Sequence, residues 1–207
     1  MNTPEIILHG TELSGHAHRV ELLLLMLDLP YRYVAAPAAV RSTPAFRRLN
    51  PLQQIPVLQD GDLTLVDSNA ILVYLAKRYA PGRQWLPEEP LASAQVQRWL
   101  SVAAGELRHG PALARMIMLW NSPGDIVRAR QIAATLLKFM NEHLENRKFL
   151  AAEHATIADL AMYAYVAHAP EGGIALDAYA AVLEWLRRVE ALPNFKAIPP
   201  SPIPQGT

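Results

Sequence analysis

Residues 50–79, NPLQQIPVLQDGDLTLVDSNAILVYLAKRY, carry the clearest pattern of secondary structure in the sequence. The middle part of this stretch, IPVLQDGDLTLVD, predicts two strands joined at Asp60-Gly61, because this dipeptide between apolar runs is typical of a hairpin. The part that follows has apolar residues at 71, 72, 75 and 79, which is the spacing of one helical face. The stretch therefore predicts the order strand, strand, helix.

Towards the N-terminus, the sequence predicts a second group of elements. EIILHG is a short apolar run ended by glycine, AHRVELLLLMLDLP is rich in leucine and ends at a proline, and YRYVAA alternates aromatic and β-branched residues. These patterns are typical of a buried strand, a buried helix and another strand, which together form a βαβ unit. STPAFRRLNP predicts a further short helix with Pro44 near its first turn.

Towards the C-terminus, the composition changes. APGRQWLPEEP carries three prolines and a glycine, which indicates a linker. Beyond it four helical stretches follow without a strand pattern; the first is interrupted around Gly110-Pro111, and Thr156 and Asp159 have the spacing of a capping box. The tail IPPSPIPQGT predicts an extended segment. We therefore expect an α/β domain at 1–79, a linker at 80–90 and an all-α domain at 91–207.

The composition excludes several classes of function. The 207 residues include 19 Lys+Arg and 19 Asp+Glu, a formal net charge of +0, so no nucleic-acid or acidic-membrane partner is expected. The absence of cysteine excludes disulfides, a cysteine nucleophile and a thiolate metal site. The N-terminal sequence lacks the pattern of a signal peptide, and the apolar run at 22–27 is too short to span a bilayer. We expect a soluble, cytoplasmic protein.

The segment SGHAH places a hydroxyl before a predicted helix. An anion at a helix N-terminus is stabilised by unpaired N–H groups, and the Ser14 hydroxyl can donate to it. The alternative is that Ser14 only caps the helix. His16 and His18 have no carboxylate nearby, so they are a weak signal for a metal site. No metal site is predicted, and we expect both to be solvated loop histidines.

Two further segments suggest a site for an extended peptide. In NPLQQIPVL, a proline at a strand entry would leave the backbone of Ile55 to pair with a ligand, although an ordinary strand entry looks the same. In VDSNAIL, Asp67 and Ser68 precede a helix. They are either simple caps or a clamp in which Ser68 holds a carboxylate and Asp67 an ammonium group.

This order of segments resembles the glutathione transferase family, and the resemblance covers nearly the whole chain. Residues 50–79 are similar to the family's signature in its thioredoxin-like domain, Ser14 with Arg19 resembles the serine-type members, among them the zeta and tau classes, and TIADL resembles the capping box of the helical domain. The resemblance implies a cis Ile55-Pro56 bond, glutathione as co-substrate, a homodimer, a role in detoxification and no metal.

The resemblance also implies roles for individual residues. Ser14 would donate a hydrogen bond to the glutathione sulfur, Ile55 would pair with the cysteinyl unit, and the γ-glutamyl end would be held by Asp67 and Ser68. The glycine end would be reached by Gln54, Gln53 and Arg41.

The sequence departs from the family in two places. Most members have a glycine or a basic residue where Gln53 stands. GHAH after the serine differs from the best-known classes, so His16 is a second candidate for the contact with sulfur.

The activity implied is attack of the glutathione thiolate on a small apolar electrophile. Candidate residues for the second substrate are Arg108, Met116 and Trp120, although such side chains at helical spacing also occur in plain cores. The alternatives are a glutathione carrier with little catalysis, and a glutathione-dependent isomerase or peroxidase.

Overall fold

The computed structural model describes residues 5–80, 82 and 85–201. The chain divides into two compact units, Met1–Arg83 with Pro193–Ile198, and Gln84–Leu192 with Pro199–Thr207. We call them the sheet unit and the helical unit. Residues 81, 83 and 84 of the predicted linker and residues 202–207 of the predicted extended tail lie outside the described residues.

Within the described residues, the sheet unit contains four strands. They are β1 (Ile6–Gly10), β2 (Tyr31–Ala35), β3 (Val57–Asp60) and β4 (Leu63–Val66), in the spatial order β2-β1-β3-β4. β1 and β2 run parallel, and β3 runs antiparallel to both β1 and β4. The predicted hairpin is confirmed; Gly61 takes a φ of 57° at its turn, in the region that favours glycine.

Four helices accompany this sheet: α1 (Gly15–Met26), α2 (Ala38–Arg41), α3 (Pro44–Leu49) and α4 (Ser68–Tyr79). α1 connects the parallel strands β1 and β2, which confirms the predicted βαβ unit, and its leucines at 22, 23 and 24 are fully buried. α2 was not predicted; four residues are too few to show a helical period. With the hairpin and α4, the unit has the expected thioredoxin-like arrangement.

The segment Pro193–Ile198 joins the sheet unit although it follows the helices in sequence. It lies along α1, where the Asn194 amide donates to the Leu25 carbonyl at 3.1 Å and Lys196 Nζ lies 2.7 Å from Glu21. The segment Pro193–Ile198 therefore supports the helix that begins just after Ser14.

The helical unit confirms the prediction of an all-α second half. It contains α5 (Pro90–Val102), α6 (Leu113–Trp120), α7 (Ile126–Leu144), α8 (Ile157–Ala167), a short 3-10 helix at Ala169–Gly172 and α9 (Ala180–Glu190). Trp99 of α5 and Trp185 of α9 are among its largest fully buried side chains. The predicted capping box is present, with Thr156 as the N-cap of α8 and the Asp159 carboxylate accepting from its backbone N–H.

The expected interruption around Gly110-Pro111 takes the form of a π-helical segment, Ala103–Ala112, between α5 and α6. The wider turn continues the helical path through Pro111. Gly110 is required by packing, because a Cβ there would lie 2.9 Å from the backbone nitrogen of Ala133 on α7. Within the described residues, the helices are too short or too polar to cross a membrane.

Candidate active site

Ser14 is the N-cap of α1. Its backbone is extended, with φ −80° and ψ 110°, and its Oγ accepts a hydrogen bond from Ala17 N at 3.2 Å. Capping uses an oxygen lone pair and leaves the hydroxyl hydrogen to donate elsewhere. The cap is observed, and it is compatible with a second role for the hydroxyl as a hydrogen-bond donor to a ligand.

Asp67 and Ser68 form the start of α4. Asp67 has φ 70° and ψ 120°, and its Oδ1 accepts from Asn69 N at 3.0 Å and Ala70 N at 2.9 Å. Asp67 is exposed, whereas Ser68 is buried. A non-glycine residue at positive φ is uncommon, and such conformations occur often at ligand sites. Asp67 caps the helix while its side chain remains in contact with solvent.

Arg19 connects the two helices. Its guanidinium is buried, and Nη1 donates to Ser68 Oγ at 3.2 Å and to Asn69 Oδ1 at 2.9 Å. The first turn of α4 is therefore held by a cation on α1. The spacing of Arg19 from Ser14 is visible in the sequence, but its contact with Ser68 depends on tertiary structure that this spacing does not reveal.

His16 and His18 point to different surroundings. His16 Nδ1 lies 3.4 Å from Ser68 Oγ, so its ring faces the start of α4. His18 Nε2 pairs with the Lys196 carbonyl at 2.6 Å, and its ring meets Phe195 edge-on. Both histidines lie in the first turns of α1 and His18 is buried, so the expectation of solvated loop histidines is wrong: the Pro193–Ile198 segment, distant in sequence, covers His18.

The loop before β3 contains the residues assigned to the rest of the peptide. The Ile55-Pro56 bond is cis, as the resemblance implied. Gln53 has φ 56°, an uncommon conformation for a non-glycine residue that glycine would adopt without strain. Arg41 Nη1 lies 3.5 Å from the Gln53 carbonyl, and the Asn50 amide donates to the Gln54 carbonyl at 2.9 Å.

The residues predicted for the second substrate lie in the helical unit. Arg108 belongs to the π-helical segment, and Met116 and Trp120 lie on α6 at positions i and i+4. Trp120 is 49% exposed, and the Arg115 guanidinium lies 5.4 Å from the centre of its ring. Arg115 itself is buried and paired with Glu171. The sequence does not predict this contact, because Glu171 lies in a 3-10 helix that has no helical pattern.

The chain matches two family models, described as the N-terminal domain of glutathione S-transferase over residues 8–84 and its C-terminal domain over residues 128–197. The chain belongs to the glutathione transferase family. Glutathione transferases are enzymes, and the expected fold and activity class are confirmed by this match.

Individual relatives agree with the assignment. Human glutathione S-transferase theta-1 is 31% identical over 191 residues, which are 86% of this chain and 80% of that protein. A solved glutathione S-transferase from Pseudomonas fluorescens is 32% identical with a TM-score of 0.87, covering 93% of this chain and 98% of that one. Another, from Xanthobacter autotrophicus, is 31% identical with a TM-score of 0.85, covering 95% and 98%.

Proposed function

We propose that this glutathione transferase ionises the thiol of glutathione at Ser14 and transfers the thiolate to small apolar electrophiles. The observation that carries the proposal is the hydroxyl of Ser14 at the N-cap of α1, oriented by the N–H of Ala17 at 3.2 Å. A donor in this position meets an anion together with the unpaired N–H groups of the helix.

The free energies of the two contacts are large enough to ionise the glutathione thiol. A free thiol has a pKa of about 8.5, and lowering it by about two units requires roughly 2.7 kcal/mol of preferential stabilisation of the thiolate. A hydrogen bond to a charged acceptor contributes about 1.5–3 kcal/mol. The helix terminus adds about 0.3–1 kcal/mol. A protein without cysteine thus uses the thiol of its substrate as the nucleophile.

The rest of glutathione is bound by residues of the sheet unit. The α4 start supplies Ser68 for the γ-glutamyl carboxylate and Asp67 for the ammonium group. The backbone of Ile55 pairs with the cysteinyl unit, and the glycine end is reached by Gln53, Gln54 and Arg41. The backbone conformations of Gln53 and Asp67 support these roles, since positive φ values at non-glycine residues recur at ligand sites.

The electrophile is bound by the helical unit, with Met116 and Trp120 as its apolar contacts and Arg108 as a polar one. The exposed indole of Trp120 supports this assignment, because a large aromatic surface that faces solvent is available to an apolar ligand. The homodimeric state, the cytoplasmic location and a role in detoxification are also proposed; family membership supports them.

Two measurements on the purified protein test the function. Calorimetry with glutathione should show saturable binding, and a chlorinated nitrobenzene should be conjugated faster with the protein than without it. Binding without conjugation of any electrophile in a broad panel would favour the carrier. Isomerisation or peroxide reduction without conjugation would favour the other two glutathione-dependent activities.

A further inference from the structure

We infer that the segment Pro193–Ile198 positions Ser14 for the ionisation of the glutathione thiol, and that it acts through His18. We call this segment the return segment. The inference rests on the proposed function and adds positioning residues that are separate from the contacts with glutathione. Their role is to hold the first turn of α1 in place.

His18 lies in the first turn of α1 and is bonded to Ser14. Its backbone N–H donates to the Ser14 carbonyl at 2.9 Å, which is the hydrogen bond with which the helix begins. The neighbouring N–H of Ala17 donates to the Ser14 hydroxyl oxygen at 3.2 Å. A displacement of His18 would therefore displace the backbone of Ser14 and, with it, the hydroxyl.

The return segment holds the imidazole ring of His18. Nε2 lies 2.6 Å from the carbonyl oxygen of Lys196, and because a carbonyl only accepts, Nε2 is the donor in this bond. The ring of Phe195 meets the imidazole edge-on, with 6.4 Å between the ring centres. The residue that starts the helix at Ser14 is thus bonded, through its side chain, to a segment 178 positions away.

Two further bonds join the return segment to the same face of α1. Lys196 Nζ lies 2.7 Å from the carboxylate of Glu21, and the Asn194 amide donates to the Leu25 carbonyl at 3.1 Å. His18, Glu21 and Leu25 follow one another at intervals of three and four residues, which places them on one side of the helix. The return segment therefore restrains α1 from its first turn to its last.

The position of α1 matters for the chemistry proposed at its start. The favourable field of a helix N-terminus falls off within the first turn, and a hydrogen-bond donor stabilises a charge only where it is aimed at that charge. A misplacement of about 1 Å in a catalytic group can lower a rate by up to about a hundredfold. A small shift of α1 would therefore weaken the stabilisation of the thiolate while leaving every proposed contact residue present.

Variants on both sides of the contact test the inference. The double variant Asn194→Gly/Lys196→Met changes only the return segment and removes its two side-chain bonds to α1; glycine accepts the φ of 59° that Asn194 has. His18→Leu removes the ring bond from the side of the helix, whereas His18→Gln keeps an N–H donor of similar reach. Lys138→Met is the control, because it removes an exposed lysine from α7.

Two quantities are measured: the pKa of the bound glutathione thiol, and the hydrogen-exchange rates of the Ala17 and His18 amides without glutathione. The double variant and His18→Leu should raise the thiol pKa by about half a unit, the share that a helix terminus contributes. Both amides should exchange about three- to tenfold faster, the factor that one hydrogen bond carries. His18→Gln and Lys138→Met should stay close to the wild type in both quantities.

A glutathione analogue in which a methyl group replaces the thiol shows whether the rest of the site is intact. Its dissociation constant should be the same for the wild type and all variants, because no thiolate forms and the proposed contacts with the peptide are unchanged. A raised thiol pKa with unchanged binding of this analogue is the expected result for a positioning role.

Several results would overturn the inference. Faster exchange with an unchanged thiol pKa would show that the return segment only stabilises the fold. Unchanged exchange and pKa would show that it does not restrain α1 at all. An equal effect of His18→Gln and His18→Leu would show that the bond from the ring is not what positions Ser14. A wild type that does not bind glutathione would refute the proposed function as well, and the exchange rates would distinguish that failure from the others.

Discussion

The guanidinium of Arg19 lies 3.2 Å from the hydroxyl oxygen of Ser68, and this buried hydrogen bond joins the helix that Ser14 caps to the helix that Asp67 caps. Both helices belong to the sheet unit and both begin at a proposed contact with glutathione. The contact proposed to ionise the thiol and the contact proposed to hold the γ-glutamyl end are therefore linked through the side chain of Arg19.

Asp67→Asn should weaken glutathione binding about five- to tenfold, because the ammonium group loses a charged partner while Asp67 is exposed and screened by water. Asparagine keeps the oxygen that accepts from Asn69 N and Ala70 N, so the cap and the melting temperature should be preserved. Calorimetry and thermal melts measure the two effects. Unchanged affinity would remove Asp67 from the site, and a large loss of stability would show that only its capping role matters.

Asp159→Ala should lower the free energy of unfolding by at least about 3 kcal/mol. The carboxylate accepts from Leu150 N, Thr156 N and Trp185 Nε1, each at 2.9 Å, and each buried donor left without an acceptor costs about 1–3 kcal/mol. Urea denaturation measures the change.

The matched control for Asp159 is Asp125→Ala, which removes an aspartate from the N-cap of α7 at an exposed position. Asp125→Ala should lower the free energy of unfolding by only about 1 kcal/mol. Equal effects of the two substitutions would contradict the view that Asp159 organises a buried network.

Glu171→Gln should destabilise the protein by about 3–5 kcal/mol at neutral pH, because it removes the carboxylate charge that pairs with the buried guanidinium of Arg115. Burial raises the pKa of Glu171, but hydrogen bonds from Arg115, Ser201 and His168 outweigh it and hold the pKa below its usual value. A lowered carboxyl pKa stabilises the folded state above the unfolded pKa of about 4.3, and this contribution is lost as the pH falls through the folded pKa.

The difference in unfolding free energy between wild type and Glu171→Gln should therefore shrink as the pH falls below about 4.3. Glu184→Gln is the control, because the pair of Glu184 with Arg187 is exposed and should contribute less than about 1 kcal/mol at any pH. A pH-independent difference for Glu171→Gln would contradict the assignment of a charged carboxylate.

Sequence patterns predicted the elements that follow a period or a local rule. The hairpin at Asp60-Gly61, the helix at Ser68–Tyr79 and the capping box of Thr156 with Asp159 each depend on residues within a few positions of one another. The four-residue α2 and the 3-10 helix at Ala169–Gly172 were missed because segments of that length show no period.

The contacts within the site were less predictable. The positions of Ser14, Asp67 and Ser68 at helix starts followed from the sequence, because capping is a local property. The bond from Arg19 to Ser68 and the proximity of His16 to the same hydroxyl connect residues about 50 positions apart, and no local rule gives them. The return of Pro193–Ile198 to the sheet unit is likewise a tertiary effect.

Sedimentation at micromolar concentration should show a homodimer. The expectation rests on the membership of the chain in the glutathione transferase family. A species of monomer mass across the whole concentration range would contradict the proposed assembly.

Two substitutions separate the hydroxyl of Ser14, the proposed donor to the sulfur, from its role as the helix cap. Ser14→Ala and Ser14→Gly both remove the hydroxyl, but glycine is a far better N-cap than alanine and should preserve more of the stability of α1. Ser14→Thr keeps both the hydroxyl and the cap. The three variants therefore separate loss of the donor from loss of the cap.

The most direct measurement is the pKa of bound glutathione, obtained from the ultraviolet absorbance of its thiolate as the pH is varied. Ser14→Ala and Ser14→Gly should both raise this pKa by about one to two units, the equivalent of about 1.5–3 kcal/mol, with little change in the dissociation constant. Ser14→Thr should stay close to the wild type. If the bound thiol in both hydroxyl-free variants titrates as in the wild type, Ser14 does not stabilise the thiolate and acts only as the cap of α1.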